Sequence, residues 1–271
     1  MKIYISADME GSAGLTVPSE FNPGDPDYFY FRDQMTREVA AACRGAVSAG
    51  AEDILVRDAH GDTRNLVPTA FPECTRLLRG HTGDLFPMVS GLQLEHFDAL
   101  MFTGYHSRVG SADYPCSHTF SLRTFEDIRL NGETLSEFRY NSYMCAELGV
   151  PVVFLSGDAG ICAEAKALIP CITTVATHTG RGRSTVSIQP DLAVRRIEDG
   201  VRTALARSAE SGFEGCFVTL PAHFDLEVRY WEHPTAYSMS FYPGARQLDA
   251  KTVAFSSDSY EEIRRAVHFI L

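Results

Sequence analysis

The chain has no run approaching the roughly 18 consecutive apolar residues that a membrane-spanning helix requires. Its first residues pass into a strand pattern without the charged, apolar and small-residue regions of an export signal. It also lacks any C-x-x-C spacing, the seven cysteines at 43, 74, 116, 145, 162, 171 and 216 being odd in number and without close pairs. Such cysteines are expected to be reduced and mostly packing, so any metal should be held by His and carboxylates rather than by thiolates. Basic residues are in deficit, 24 Lys and Arg against 35 Asp and Glu, for a formal charge of −11. That balance argues against nonspecific binding to a nucleic acid backbone or an anionic membrane. Neither G-x-G-x-x-G nor the P-loop spacing occurs, and there is no internal repeat, low-complexity tract or linker. The expectation is a cytoplasmic protein with no nucleic acid or membrane partner.

What is present is an ordinary globular composition, 45% hydrophobic in 271 residues, enough for one large or two smaller α/β domains. Lys2 to Ala7 reads as a strand, Tyr28 to Ala49 as a helix with apolar residues at helical spacing, and Asp53 to Arg57 as a second strand, which together make a β-α-β unit. "DALMFTG" (98–104) and "PVVFLSGD" (151–158) are continuous apolar runs suited to a sheet covered on both faces. The Asn131-Gly132 pair predicts a hairpin turn after Ile128 to Leu130. Helices are expected at about 135–148, 159–168, 191–210 and from Tyr260, with strands near 216–220 and 225–229. The fold class is therefore α/β, an open and mostly parallel sheet flanked by helices, with a smaller α+β C-terminal part from about residue 190 within one 1–271 unit.

The polar residues at the strand ends carry the chemistry. In "SADMEG" (6–11) the carboxylates of Asp8 and Glu10, if extended, share a face with Cα atoms about 6 to 7 Å apart. Alone, the segment reads as a solvated turn. Two further strands, however, run into Asp58-Ala59-His60-Gly61 and Tyr105-His106. Ligands of open α/β sheets bind beyond the carboxyl ends of the strands, so Asp8, Glu10, His60 and His106 are brought to one edge. Carboxylate and imidazole suit zinc and related divalent ions. Asp58 is either a partner orienting His60 or a turn residue. His118, in "YPCSHTFS", is either a surface residue or a proton shuttle. Glu137 completes Thr134-Leu135-Ser136-Glu137, whose pattern favours a helix capping box.

In the order and spacing of "SADMEG", "RDAHG" (57–61), "GYHSR" (104–108), "CSHTF" (116–120) and "SEFRYNSY" (136–143), the chain resembles the zinc-dependent D-aminopeptidases associated with dipeptide-transport operons. The likeness runs from Met1 past Leu168 and weakens in the C-terminal third. It implies two zinc ions per subunit held by Asp8, Glu10, His60, His106 and Glu137, with Asp8 bridging, and it makes His118 the catalytic histidine. It thereby turns Glu137 from a cap into a ligand. It further implies short peptides with an N-terminal D-residue, such as D-alanine peptides, as substrates, and a homo-oligomer, a decamer of two stacked pentameric rings. "THTGRGRST" (177–185) is a basic loop in an acidic chain. It reads as a solvated turn or subunit contact, or else Arg181 or Arg183 binds the peptide carboxylate. Two other readings stand beside the peptidase: a zinc-dependent amidase or esterase on another small molecule, and a catalytically silent binding protein.

Overall fold

Apolar runs alternate with amphipathic ones for most of the chain, and the computed structural model, which describes residues 1–271, resolves that alternation into two sheets and six helices. The chain proceeds through β1 (Lys2–Ala7), α1 (Tyr28–Ser48), β2 (Asp53–Asp58), β3 (Thr75–Leu78) and β4 (Ala99–Tyr105). β5 (Phe125–Leu130) and β6 (Glu133–Thr134) follow as a hairpin, then α2 (Glu137–Glu147), β7 (Val152–Asp158) and α3 (Ala159–Leu168). β8 (Thr173–Arg181), β9 (Ser184–Ser187) and α4 (Pro190–Glu210) come next. The chain closes with β10 (Phe224–Tyr230), α5 (His233–Met239), β11 (Arg246–Gln247), β12 (Thr252–Ser257) and α6 (Tyr260–Ile270).

The larger sheet has the order β3-β2-β1-β4-β7-β8-β9, parallel except for β9 at one edge. Every residue of β4 and β7 is buried, which is why both read as unbroken apolar runs. Successive residues of β1 enter different cores: Ile3 and Ile5 join residues of α1 and α4, whereas Tyr4 joins residues of α2, α3 and the smaller sheet. The strand order reverses between β1 and β4, so the crevice beyond their carboxyl ends is the topological switch point of the sheet.

The smaller sheet is antiparallel, β11-β12-β10-β5-β6. Asn131 and Gly132 both have positive φ, 54° and 80°, as a two-residue type I′ turn requires. The α+β part expected from about residue 190 takes its strands from 125–134 and 224–257, while α4 packs on the larger sheet against α1. The strand expected near 216–220 is absent. Only Cys216 is engaged there, its N–H donating to the Phe213 carbonyl at 3.1 Å and its carbonyl accepting from Val152 N–H at 2.8 Å, and Pro221 follows with no N–H to donate. The basic "THTGRGRST" segment is the β8–β9 hairpin, turning at Gly182 with φ 62°. The cysteines are not all unpaired. Cys171 and Cys216 form a disulfide, their Cα atoms 5.6 Å apart, and the other five are free. The partners are 45 residues apart in the chain, a separation that no local spacing pattern detects.

Candidate metal centre

Three strand ends deliver the acidic and imidazole groups to the switch point. Asp8 N–H donates to the Thr103 carbonyl and Gly11 N–H to the Gly104 carbonyl, both at 2.8 Å, so the segment after β1 is sewn to the end of β4. The approach leaves no room for side chains. A Cβ on Gly11 would lie 2.0 Å from the Tyr105 carbonyl oxygen, and one on Gly104, whose φ is +69°, would lie 2.1 Å from that of Asp8. Gly11 is thus required by the neighbouring backbone.

The site itself is buried, with Asp8, Glu10, His60, His106 and Glu137 all under one-tenth exposed. Asp8 Oδ1 lies 3.3 Å from His60 Nδ1, and its Oδ2 lies 3.6 Å from His106 Nε2. Glu10 Oε2 is 2.9 Å from His60 Nδ1, and Glu137 Oε2 is 3.6 Å from His106 Nε2. The donor atoms therefore fall into groups of three within 4.8 Å of one another: Asp8, Glu10 and His60; Asp8, His106 and Glu137; Glu10, His106 and His118. Asp8 belongs to the first two.

The imidazole tautomers follow from the backbone. A carbonyl oxygen can only accept, so His60 Nε2 donates to Phe21 (2.9 Å), His106 Nδ1 to Ser107 (3.0 Å) and His118 Nδ1 to Cys116 (3.0 Å). On each neutral ring the remaining nitrogen carries a lone pair, and on each it faces carboxylate oxygens. Asp8 Oδ2 and Glu10 Oε2 are buried without a hydrogen-bond donor, an arrangement that costs about 1 to 3 kcal/mol per acceptor unless something positive lies between them. Three carboxylates and two such imidazoles fit divalent zinc, whose catalytic sites take about three nitrogen or oxygen ligands and keep a position open.

Where protons alone supply the positive charge, the same conflict shows in the ionisation. Burial and the neighbouring Glu10 push Asp8 up to about 7. Burial opposes charge on His60 and His106, yet Glu10 and Asp8 raise the first, and Glu137 the second, well above the usual imidazole value. Burial, then the adjacent His106, lowers His118, whose ring stacks on that of His106 at 4.2 Å and 9°.

Glu137 opens α2, but Thr134 is not its cap. Ser136 is, its Oγ accepting from Arg139 N–H at 3.0 Å. Glu137 is thereby freed to face the imidazoles, its Oε1 accepting from Phe120 N–H at 2.6 Å, and the helix N-terminus favours its charge. Asp58 does not touch the His60 ring. It accepts from Asn65 and Leu66 N–H and from the Asn65 amide, which also donates to the His60 carbonyl, and so fixes the 58–66 loop.

A cavity of about 710 Å³ opens over Asp8, Glu10, His60, His118 and Glu137. Arg181 and Arg183 lie at the exposed hairpin turn and do not line it, whereas Arg123, which no sequence pattern singled out, does. The charge of "THTGRGRST" pointed to arginines away from this cavity, whose wall is formed by residues 118–123 instead. The proximity of Arg123 to His118 in the chain was the available signal.

Residues 1–269 match the family described as D-aminopeptidase. A curated D-aminopeptidase of Bacillus subtilis is 30% identical over 274 residues, covering 98% of this chain and 95% of its own. The solved structure of a zinc-dependent D-aminopeptidase from Bacillus subtilis, a self-compartmentalizing protease, superposes with a TM-score of 0.89 at 26% identity. It covers 100% of this chain and 96% of its own.

Proposed function

This chain belongs to the D-aminopeptidase family, and from that premise we propose that it is a dinuclear zinc aminopeptidase hydrolysing short peptides with an N-terminal D-amino acid, D-alanine peptides among them. The observation that carries the reading is that the two donor groups made up of the five ligand residues overlap at Asp8 alone. Asp8 sits in two three-residue donor groups at once, with Glu10 and His60 on one side and His106 and Glu137 on the other, as a bridging ligand between two ions must. Zinc bound there supplies a Lewis acid and water activated at neutral pH.

The chain's own residues do the rest. His60 and His106 are aimed by their bonds to the Phe21 and Ser107 carbonyls, which fix the tautomer and turn the other nitrogen inward. His118, with Nδ1–H held by the Cys116 carbonyl and its basicity lowered by burial and His106, presents a free Nε2 at neutral pH. In this reading it takes the proton of the attacking water and returns it to the departing amine. Assembly into a closed homo-oligomer, a decamer of two pentameric rings, belongs to the same proposal and is supported by the self-compartmentalizing character of the structural relative.

The test is a paired panel of D- and L-aminoacyl dipeptides and amides assayed on zinc-loaded protein, with zinc counted by mass spectrometry and mass by sedimentation. D-selective release of the N-terminal residue with both ions bound is expected. Equal rates on L-substrates, or faster turnover of an ester or non-peptide amide, would replace this reading by the broader hydrolase.

A further inference from the structure

The cavity over the metal centre is polarised. Its floor holds the carboxylates of Asp8, Glu10 and Glu137, and Asp62 on its wall is already paired with Arg64 at 3.2 Å. Arg123 is the one arginine or lysine that lines it. This guanidinium is exposed and makes no ion pair within the chain, in a molecule whose net charge of −11 offers many carboxylates to pair with.

The backbone that carries Arg123 is nevertheless fixed. Four residues separate it from His118, and Phe120, at φ 62°, donates its N–H to Glu137 Oε1 at 2.6 Å. Ser121 Oγ then accepts from Arg123 N–H and Thr124 N–H at 3.3 and 3.2 Å, and the Thr124 carbonyl accepts from Trp231 N–H at 3.2 Å. One end of the turn is thus tied to a carboxylate of the metal centre and the other to the smaller sheet. An unpaired cation on an anchored turn that lines the cavity is placed to receive an anion.

We propose that Arg123 reads the free α-carboxylate of the substrate peptide, and so selects short peptides with an unblocked C-terminus. This rests on the aminopeptidase reading above. A peptide whose N-terminal residue lies at the metal centre directs its C-terminus outward, and each residue spans at most about 3.6 Å, so only a short peptide presents its carboxylate within the cavity. Guanidinium pairs with carboxylate through two parallel hydrogen bonds, a geometry that Lys reproduces only in part.

The experiment uses an uncleavable analogue of D-alanyl-D-alanine, its scissile amide reduced to a methyleneamine, in carboxylate and carboxamide forms. Both are titrated calorimetrically into zinc-loaded protein. Wild type should bind the carboxylate about ten-fold more tightly, the scale of one charge-assisted contact. Arg123→Ala should lose that preference, and Arg123→Lys should keep part of it. A wild-type ratio near one, a ratio preserved in Arg123→Ala, or no binding of either form would overturn the proposal. Hydrolysis of D-alaninamide, which has no carboxylate, is measured in parallel and should be unchanged in Arg123→Ala. Its absence in wild type would count against the peptidase reading alone, while the ratio of affinities still decides the role of Arg123.

Discussion

Asp8 is in conflict with its surroundings: buried beside Glu10, with one oxygen that receives no hydrogen bond. If it bridges, Asp8→Ala should remove both zinc ions, whereas His60→Ala should leave the His106 and Glu137 side occupied; metal content after dialysis distinguishes the two. His118→Ala should keep its zinc and lose activity by about 10² to 10⁴, the range of a lost general acid or base, as read by kcat at saturating substrate. Glu38 is a different buried carboxyl, behind the Asp8 segment rather than in it. It accepts from Ala13 N–H at 2.9 Å and from Gln34 at 2.7 Å, and burial raises it to about 7 despite those bonds. Because the folded state holds this proton more tightly than the unfolded state, whose value is 4.5, stability falls as pH rises from about 4.5 to about 7. The difference of about 2.5 units corresponds to at most about 3 kcal/mol. Glu38→Gln keeps an acceptor for both donors, so its melting temperature should exceed that of wild type at pH 8 and converge with it near pH 5. Parallel curves would exclude ionisation of Glu38 as the cause.

At the scale of elements, the centre depends on how closely the segment after β1 lies against the end of β4. Gly104→Ala would place a methyl 2.1 Å from the Asp8 carbonyl at a φ of +69°. A loss of at least about 3 kcal/mol is expected, since strain and backbone displacement combine, and denaturant unfolding measures it. The strand ends were legible beforehand because the larger sheet is written in continuous apolar runs that stop at polar residues. β1, β2, β4 and β7 were found that way, and with them Asp8, Glu10, His60 and His106. Glu137 was not legible from pattern. A cap and a ligand require the same residue at the same place, and only the use of Ser136 as the cap separates them. β3, β8 and β12 escaped because they are short or end in polar residues, so their apolar pattern is weak. The strand expected at 216–220 failed for the opposite reason, an apolar stretch without a pairing partner. Arg123 had only its closeness to His118 in the chain to mark it, because the position of an exposed loop arginine is set by tertiary contacts.

At the scale of the whole molecule, the centre joins two parts with different origins. Asp8, Glu10, His60 and His106 hang from the larger sheet, whereas His118 and Glu137 belong to the segment leading into the smaller sheet and to the start of α2. Ions held by both sets, as proposed, would tie the parts together, and what binds only the folded state stabilises it by mass action, about 4 kcal/mol at a thousand-fold excess over Kd. Chelation should consequently do more than abolish activity. The 118–124 turn depends on Phe120 N–H bonded to Glu137, and the loop around Phe21 on its carbonyl bonded to His60, so both are positioned by side chains that, without zinc, only pairs of imidazole and carboxylate hold in place. The strands β1, β4 and β7 are held by their own ladder and by the cores on both faces. Amide hydrogen exchange of the chelated protein should therefore accelerate in residues 16–24 and 116–124 and at the start of α2, with β1, β4 and β7 still protected, and adding zinc back should reverse it. A uniform acceleration across both sheets would mean that the metal supports global stability alone. An unchanged pattern would mean that the chain positions its ligands without the ions, the site being already rigid before they bind.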